Sequence, residues 1–381
     1  MRILQVIPYL NPKRGGDVNV CCHLSTRLRE IGHDVTIATT DFGYDRDFGT
    51  KIEQHGIEVV RFKCVFNIGL FIFTPSMKKW LDRNIGSYDI VHVHGFRSYQ
   101  SSLVRRYSSI KGIPYIIQAH GAVLTLSAKS FRKLIYDVVW GHRVLRQASR
   151  AVALTKTEVR NYVEKGVPVE KIEVIPNGID VEHFSHSRKG SFRKEYKIDK
   201  CDKILLYLGR LHATKGIELL LSSYANLVEL FPRSRLVIAG PDDGYERTLR
   251  KQAVSLHVSE RILFSGFVSD RMKMDALADA DVFVTPRFSG FPVTFLESCA
   301  CGVPIVTTTR GDEIDWIHNN VGFVVEYGVS ELQNAIERLL MNDSLRKDFG
   351  ENGRRIVRER FTWNVISEKF ENLYQNVVKT K

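Results

Sequence analysis

No stretch of this 381-residue sequence stays apolar for the about 18 residues that a membrane-crossing helix needs. Its opening, MRILQVIPYLNPKRGG, reads as a strand running into a loop, without the layout of a secretory leader. Both absences point to the cytoplasm. Cysteine is scarce, six in all: Cys21, Cys22, Cys64, Cys201, Cys299 and Cys301. An adjacent pair and one C-x-C in an expected helix match neither zinc-ligand spacing nor a disulfide framework, so reduced, mostly buried thiols are expected. Low-complexity tracts are missing, and 44% hydrophobic with 26% charged residues is ordinary material for a sizeable core.

What is present is, first, length. At 381 residues the chain exceeds the about 250–300 at which single cores stop growing, so two domains are expected. Positive charge is the second surplus, and it is uneven: residues 1–190 carry 28 Lys+Arg against 17 Asp+Glu, while 191–381 carry 27 against 26. Nearly all of the net +12 belongs to the first half, where it would draw phosphates, nucleic acid or an anionic membrane.

Short β-rich runs alternate with amphipathic stretches from end to end. ILQVIPYL, DVTIATT, IEVVRF, DIVHVHG, YIIQAHG, RAVALT and IEVIPN fall in the first half; KILLYLGR, SRLVIAG, RILFSGF, DVFVTP, PIVTTT and GFVVE fall in the second. Continuous Val/Ile/Leu runs between helical patterns indicate parallel strands covered on both faces, hence two doubly wound α/β domains. Residues 1–180 form the expected first domain, 181–200 a polar linker and hinge, and 201–361 the second domain; 362–381 read as a closing helix.

In such sheets ligands sit outside the carboxyl ends of the strands, where a glycine turn leads into a helix. After strand one, Gly15 and Gly16 precede a helix whose first turn offers free N–H groups; this suits an anion, or is simply a common glycine turn. It is not a dinucleotide fingerprint, which argues against a nicotinamide enzyme. KILLYLGRLHATKG puts Arg210 and Lys215 at the end of a buried strand beside Gly209, either a diphosphate clamp or a solvated pair, and the only charges near that turn. In SGFPVTFLESCACGVPIVTT, Pro292 suits the first helical position and Glu297 follows inside a short apolar helix. A carboxylate there needs partners: two ribose hydroxyls or a structural cation.

GRLHATKG, the run from Ser289 to Glu297, ACGVPIV and VIPNGID, with the glycine loop, LREIGHDVTIAT, DIVHVHG and QAHG before them, resemble the family 4 retaining glycosyltransferases of the GT-B fold, the glycogen synthase and mannosyltransferase group. The resemblance spans almost the whole chain. It implies two Rossmann-like domains facing across a cleft, a terminal helix crossing back onto the first, and transfer of a hexose-type sugar from a UDP- or GDP-sugar with retained configuration and no metal or other cofactor. By position, Arg210 and Lys215 would grip the donor diphosphate, with Gly209 beside them, and Glu297 would hold the ribose. Gly266, Phe267 and Val268 would border the base, and Gly290, Phe291, Pro292 and Val293 would line the sugar side. His120, in QAHG, would face the donor sugar near the leaving oxygen, and Gly15 and Gly16 would lie along acceptor and phosphates. The sequence departs from the family's Glu-x7-Glu pattern at Ser289, whose uncharged hydroxyl would aim differently at the sugar, and Pro292 stands where glycine is common.

The chemistry asks for charge stabilisation on a departing phosphate, and no second carboxylate is spaced to pair with Glu297 as in a retaining hydrolase. Asp45 with Asp47 and Asp279 with Asp281 form D-x-D strings; the second reads as a helix end, and the first would be a metal site only against the two-domain pattern. His92 and His94 share a strand face without a third ligand. Two basic, aromatic segments, 67–81 with Lys78 and Lys79, and 130–150 with Phe131, Arg132, Lys133, Ile135, Val138, Trp140, Arg143, Arg146 and Arg150, could lie on an anionic membrane or be solvated faces over a core. The acceptor is therefore expected to be lipid-linked or a polysaccharide, in cell-envelope glycan synthesis, with the protein cytoplasmic or peripheral on the inner membrane face. Nucleic acid is disfavoured for want of a recognised module. The rival readings are a GT-B nucleotide-sugar epimerase or phosphorylase, the latter lacking any pyridoxal-phosphate lysine signature, and a nucleotide-sugar-binding homologue with weak turnover.

Overall fold

The computed structural model describes residues 1–13, 15–68, 71–123, 135–311 and 314–380. The chain divides into two units, Met1–Gly178 with Trp363–Lys381, and Ile179–Thr362.

Unit 1 is built on a parallel sheet of seven strands: β1 Arg2–Val6, β2 Asp34–Thr40, β3 Glu58–Phe62, β6 Ile90–His94, β7 Tyr115–Gln118, β8 Arg150–Ala153 and β9 Ile172–Val174, in the order β3-β2-β1-β6-β7-β8-β9. Neighbours on one strand feed opposite faces: Ile3 enters the apolar cluster on one side of β1 and Leu4 that on the other, which is why the run reads apolar without alternation. Between β3 and β6 stands a short antiparallel hairpin, β4 Phe66–Ile68 and β5 Phe71–Phe73, which the sequence reading did not separate from the basic segment after it.

Unit 2 repeats the plan with β10 Lys203–Leu208, β11 Ser234–Ala239, β12 Ile262–Gly266, β13 Val282–Thr285, β14 Ile305–Thr308 and β15 Gly322–Val325, ordered β12-β11-β10-β13-β14-β15, all parallel. Each sheet reverses its order once, beside β1 and β6 in unit 1 and beside β10 and β13 in unit 2. Those reversals leave a crevice outside the carboxyl ends.

The expected linker is instead part of unit 2. Residues 181–200 form the short helices Val181–Ser185 and Ser191–Glu195, and Phe184 and Phe192 bury themselves in the core. Asp279 anchors the second by accepting from Gly190 N (2.5 Å) and Arg193 N (3.0 Å). Two single aromatics carry no helical period, so the sequence showed only polarity. The closing helix, Trp363–Lys379, packs in unit 1 against the first helix, Gly16–Glu30; Trp363 stacks on His23 with centroids 5.1 Å apart. No helix among the described residues is long and apolar enough to cross a membrane. The cysteines are free, Cys21, Cys22 and Cys299 buried and Cys201 exposed.

Candidate active site

The switch point of unit 2 is dense in cations. β10 ends at Leu208, and Gly209 donates to Ala239 O (3.0 Å), keeping the turn flush with β11. Gly240 approaches so closely that a Cβ there would collide with the Gly209 carbonyl, a contact only glycine permits. The turn Ala213–Lys215 is closed by His212, whose Nδ1 accepts from Thr214 N (3.2 Å), and Gly216 in the left-handed region hands the chain to the helix Ile217–Ala225. Lys215 thus stands at that helix's N-terminal end. Burial, then Arg210 and Arg287, hold its ammonium below the usual lysine value.

Arg210 and Lys215 are not the only charges there, contrary to the sequence reading. Arg210 Nη1 is 2.6 Å from Asp243 Oδ2, and Arg287, two residues past β13, bears on Lys215 from the neighbouring strand end. Strand adjacency across a crossover brings Arg287 in, which sequence spacing does not reveal.

Farther along the same sheet edge lie the other residues assigned to the donor. Gly266 closes β12 with φ +66° and accepts from Gly240 N (2.9 Å); Phe267 after it is 77% exposed, and Val268 packs on the core. Gly290 is left-handed, Phe291 lies against Phe361, and Pro292 sits one position ahead of the helix Val293–Cys301, so Val293 opens it. Among the described residues Ser289 has no side-chain hydrogen-bond partner, and its neighbour Gly290 takes the left-handed turn. Glu297 is 8% exposed on that helix. Its Oε1 is 2.6 Å from Lys273 Nζ, while Oε2 is buried without a partner. Burial opposes the Lys273 charge, but Glu297 and then Asp270 outweigh it and hold the ammonium above its usual value. One oxygen of Glu297 is therefore held in a structural ion pair, and the other is buried and unpaired.

In unit 1, Gly15 precedes the helix that Gly16 opens, and a Cβ on Gly15 would press on Asp17 Oδ1 at 2.6 Å. Asp17 accepts from the Tyr9 hydroxyl (2.9 Å) and exerts its charge on His120. His120 follows β7 in a left-handed backbone (φ +53°). Its Nε2 is 2.9 Å from His94 Nδ1, and His94 Nε2 is 2.8 Å from Gln5 Oε1. Gln5 Nε2 reaches the Tyr374 hydroxyl (3.5 Å), which in turn meets His92 Nδ1 at 2.7 Å. Burial drives all three imidazoles toward neutrality: His120 to about 4 despite the pull of Asp17, His92 to about 3, and His94 well below its usual value.

The D-x-D strings have structural duties. Asp45 caps the helix Arg46–Gln54 by accepting from Phe48 N (3.0 Å), and Asp281 accepts from Ile204 N (2.8 Å). Phe131, Arg132 and Lys133 lie outside the described residues; Val138 and Trp140 are exposed.

Two family models match, Glycosyltransferase Family 4 over residues 14–183 and Glycosyl transferases group 1 over 188–356. An uncharacterized glycosyltransferase of Methanocaldococcus jannaschii is 25% identical over 98% of each chain. The phosphatidyl-myo-inositol mannosyltransferase of Mycobacterium tuberculosis is 26% identical over 99% of this chain and 97% of its own. Among solved structures, Anabaena HepE in complex with UDP and glucose superposes with a TM-score of 0.77 at 19% identity, covering 99% of this chain and all of that one.

Proposed function

Since the chain belongs to the family 4 glycosyltransferases, with the GT-B pair of Rossmann-like units and the terminal helix, we propose that it transfers a hexose-type sugar, with retention, from a UDP- or GDP-sugar to a hydroxyl of a lipid-linked or polysaccharide acceptor, without a metal. The observation that carries this reading is the gathering of Lys215, Arg287 and Arg210 at the switch point of unit 2. Asp243 meets Arg210, yet Lys215 is still held below its usual value by burial and by both arginines, and a diphosphate is the further anion such a donor brings.

On this reading Lys215 and Arg287 stabilise the charge that develops on the leaving diphosphate as the anomeric C–O bond breaks, an effect of about 3–4 kcal/mol for one lost donor in comparable sites. Glu297 Oε2 accepts from a ribose hydroxyl while Lys273 fixes the other oxygen. Phe267 offers its exposed ring beside the base. The acceptor proton passes to a departing phosphate oxygen as the new C–O bond forms on the same face. In unit 1, Gly15 and Gly16 serve the acceptor and phosphates, and His120 faces the sugar. Because Gln5 takes the proton of His94 Nε2, His94 Nδ1 must accept from His120 Nε2, which leaves the His120 Nδ1 lone pair to accept from a sugar hydroxyl. The lipid-acceptor half of the proposal draws on the mannosyltransferase relative's name and on the exposed apolar side chains of unit 1. It also places the enzyme in cell-envelope glycan synthesis, on the cytoplasmic face.

Radiolabel transfer from a panel of UDP- and GDP-sugars to lipid extract and to polysaccharide, with EDTA present, tests this directly. Labelled product whose anomeric coupling matches the donor is expected. Inversion, or transfer only after manganese is restored, would overturn the mechanism.

A further inference from the structure

β7 carries His120 beyond its carboxyl end, and at its opposite end the chain builds a second cavity, of 630 Å³. Its walls come from the turn Gly112–Tyr115, the start of β8 and the closing helix at Val377 and Thr380, all within unit 1. Arg105, Arg146, Arg150 and Lys171 line it, and among the described residues no Asp or Glu does. The volume lies in the range of small-ligand sites, about 300–1,000 Å³.

Two atoms just behind this lining are left unsatisfied. Arg105 Nε and Ser108 Oγ are both buried and without a hydrogen-bond partner, and Ser108 is 2% exposed. A buried polar group with no partner is costly, and a guanidinium nitrogen more so. Arg105 Nη1 donates to Gln147 Oε1 at 3.0 Å, which orients the guanidinium. Arg146 is placed by Gly166, where any Cβ would strike its guanidinium. Arg150 Nη1 donates to the Ser149 carbonyl (2.9 Å), which leaves other N–H groups of its fork available.

We propose that this cavity is a second anion site, distinct from the one assigned to the donor, and that it takes a phosphate-bearing small ligand. The shape and charge select that class. Arginine forks match phosphate oxygens in pairs, and Lys171 adds a point charge. The volume, open to solvent on one side, suits a phosphomonoester or diphosphate. Since the site lies at the amino end of β7, about 13 Å of strand from the His120 end, an occupant there is neither donor nor reacting acceptor. It would tie the helix Tyr99–Lys111, β8 and the closing helix together, and the closing helix carries Tyr374 of the His120 chain.

Equilibrium dialysis of labelled pyrophosphate, run with the full chain and with Arg150→Gln plus Lys171→Gln, tests the assignment without reference to any nucleotide. The intact protein should bind one equivalent more than the variant, with at least about a tenfold loss of affinity at this site, or roughly 1.4 kcal/mol. Arg105→Met, made separately and checked for an unchanged melting midpoint, should lose the same equivalent. Binding that is identical in all three proteins, or absent from the intact chain at millimolar pyrophosphate, overturns the proposal. Flotation with phosphatidic acid vesicles separates the sources. Vesicle binding that free pyrophosphate displaces, and that the variants lose, makes the ligand a lipid headgroup; dialysis binding with no flotation makes it a free phosphorylated molecule.

Discussion

His94 Nδ1 and His120 Nε2 face each other at 2.9 Å, with the far side of His94 held by Gln5, so the proton between the two rings belongs to His120. One end of this chain is the residue assigned to the sugar, and the other is Tyr374 on the closing helix. A mechanism that needs a neutral His120 is thereby coupled to the fold of unit 1.

Acid should expose that coupling. An ordinary histidine titrates near 6.5, whereas His120 is held to about 4 and His92 to about 3. The unfolded chain therefore takes up protons that the folded chain refuses, and the stability present above 6.5 is lost as pH falls through the window from 6.5 toward those values. The slope is up to about 1.4 kcal/mol per pH unit for each such histidine. Urea melts between pH 7.5 and 5 should show it, and His94→Leu should flatten it; equal slopes in the two proteins would contradict neutral burial.

Lys215 carries its charge at some cost, because burial, Arg210 and Arg287 all oppose it. Nucleoside diphosphate affinity should fall as pH rises, and should begin to do so below the usual lysine range. In Arg287→Gln the neutral-pH affinity should drop, by roughly 1.5–3 kcal/mol, while the alkaline decline moves to higher pH because a repelling charge is gone. Calorimetry across pH 7 to 10 reads both, and a decline that shifts downward would show that Arg287 does not act on Lys215.

Glu297 and Ser289 should separate nucleotide from sugar. Glu297→Gln removes a charge-assisted acceptor, so affinity for the free diphosphate and for the intact donor should fall alike, tenfold to a hundredfold, or about 1.5–3 kcal/mol. Ser289→Ala should leave free diphosphate binding within about threefold and change turnover or donor choice instead. Lys273→Met serves as control: with Glu297 Oε1 released, the carboxylate is mispositioned but still charged, and its loss should be the smaller.

The apolar surface of unit 1 should matter for lipid. Phe66, Ile68, Val138 and Trp140 are all exposed, and Phe71 of the hairpin lies 6.4 Å from the Trp140 ring. Co-sedimentation with phosphatidylglycerol vesicles should weaken on Phe66→Ser plus Ile68→Ser and also with rising salt, which screens the positive half. Equal binding by wild type and variant would direct the acceptor search to soluble glycans.

Thirteen β-rich runs were legible because buried parallel strands need no alternation, and each became a strand. Of the residues in the proposed site, Arg210, Lys215 and His120 were legible because each follows one of these strands, and Glu297 because it stands alone in an apolar helix. Arg287, Lys273 and Gln5 were not, since what makes them relevant is a neighbour brought in by sheet order or helix packing. The burial of Phe184 and Phe192 was not legible, because one aromatic per short helix leaves no period to detect.

Unit 2 interrupts unit 1. The chain leaves at Gly178 and returns at Trp363, where a Cβ on Gly178 would meet the indole at 2.6 Å, and next to this junction Ile179 N donates to Phe361 O at 2.8 Å. During synthesis the first 178 residues emerge long before Trp363, Phe370 and Tyr374, which complete one of their two apolar clusters. Until then the cluster of Ile3, Val18 and Leu24 lacks the part of its packing that the closing helix supplies, and His92 lacks its tyrosine. Unit 2, whose sequence is continuous, can close first. The half richer in positive charge is thus the last to finish folding, and a ribosome stalled within residues 179–362 would hold it open.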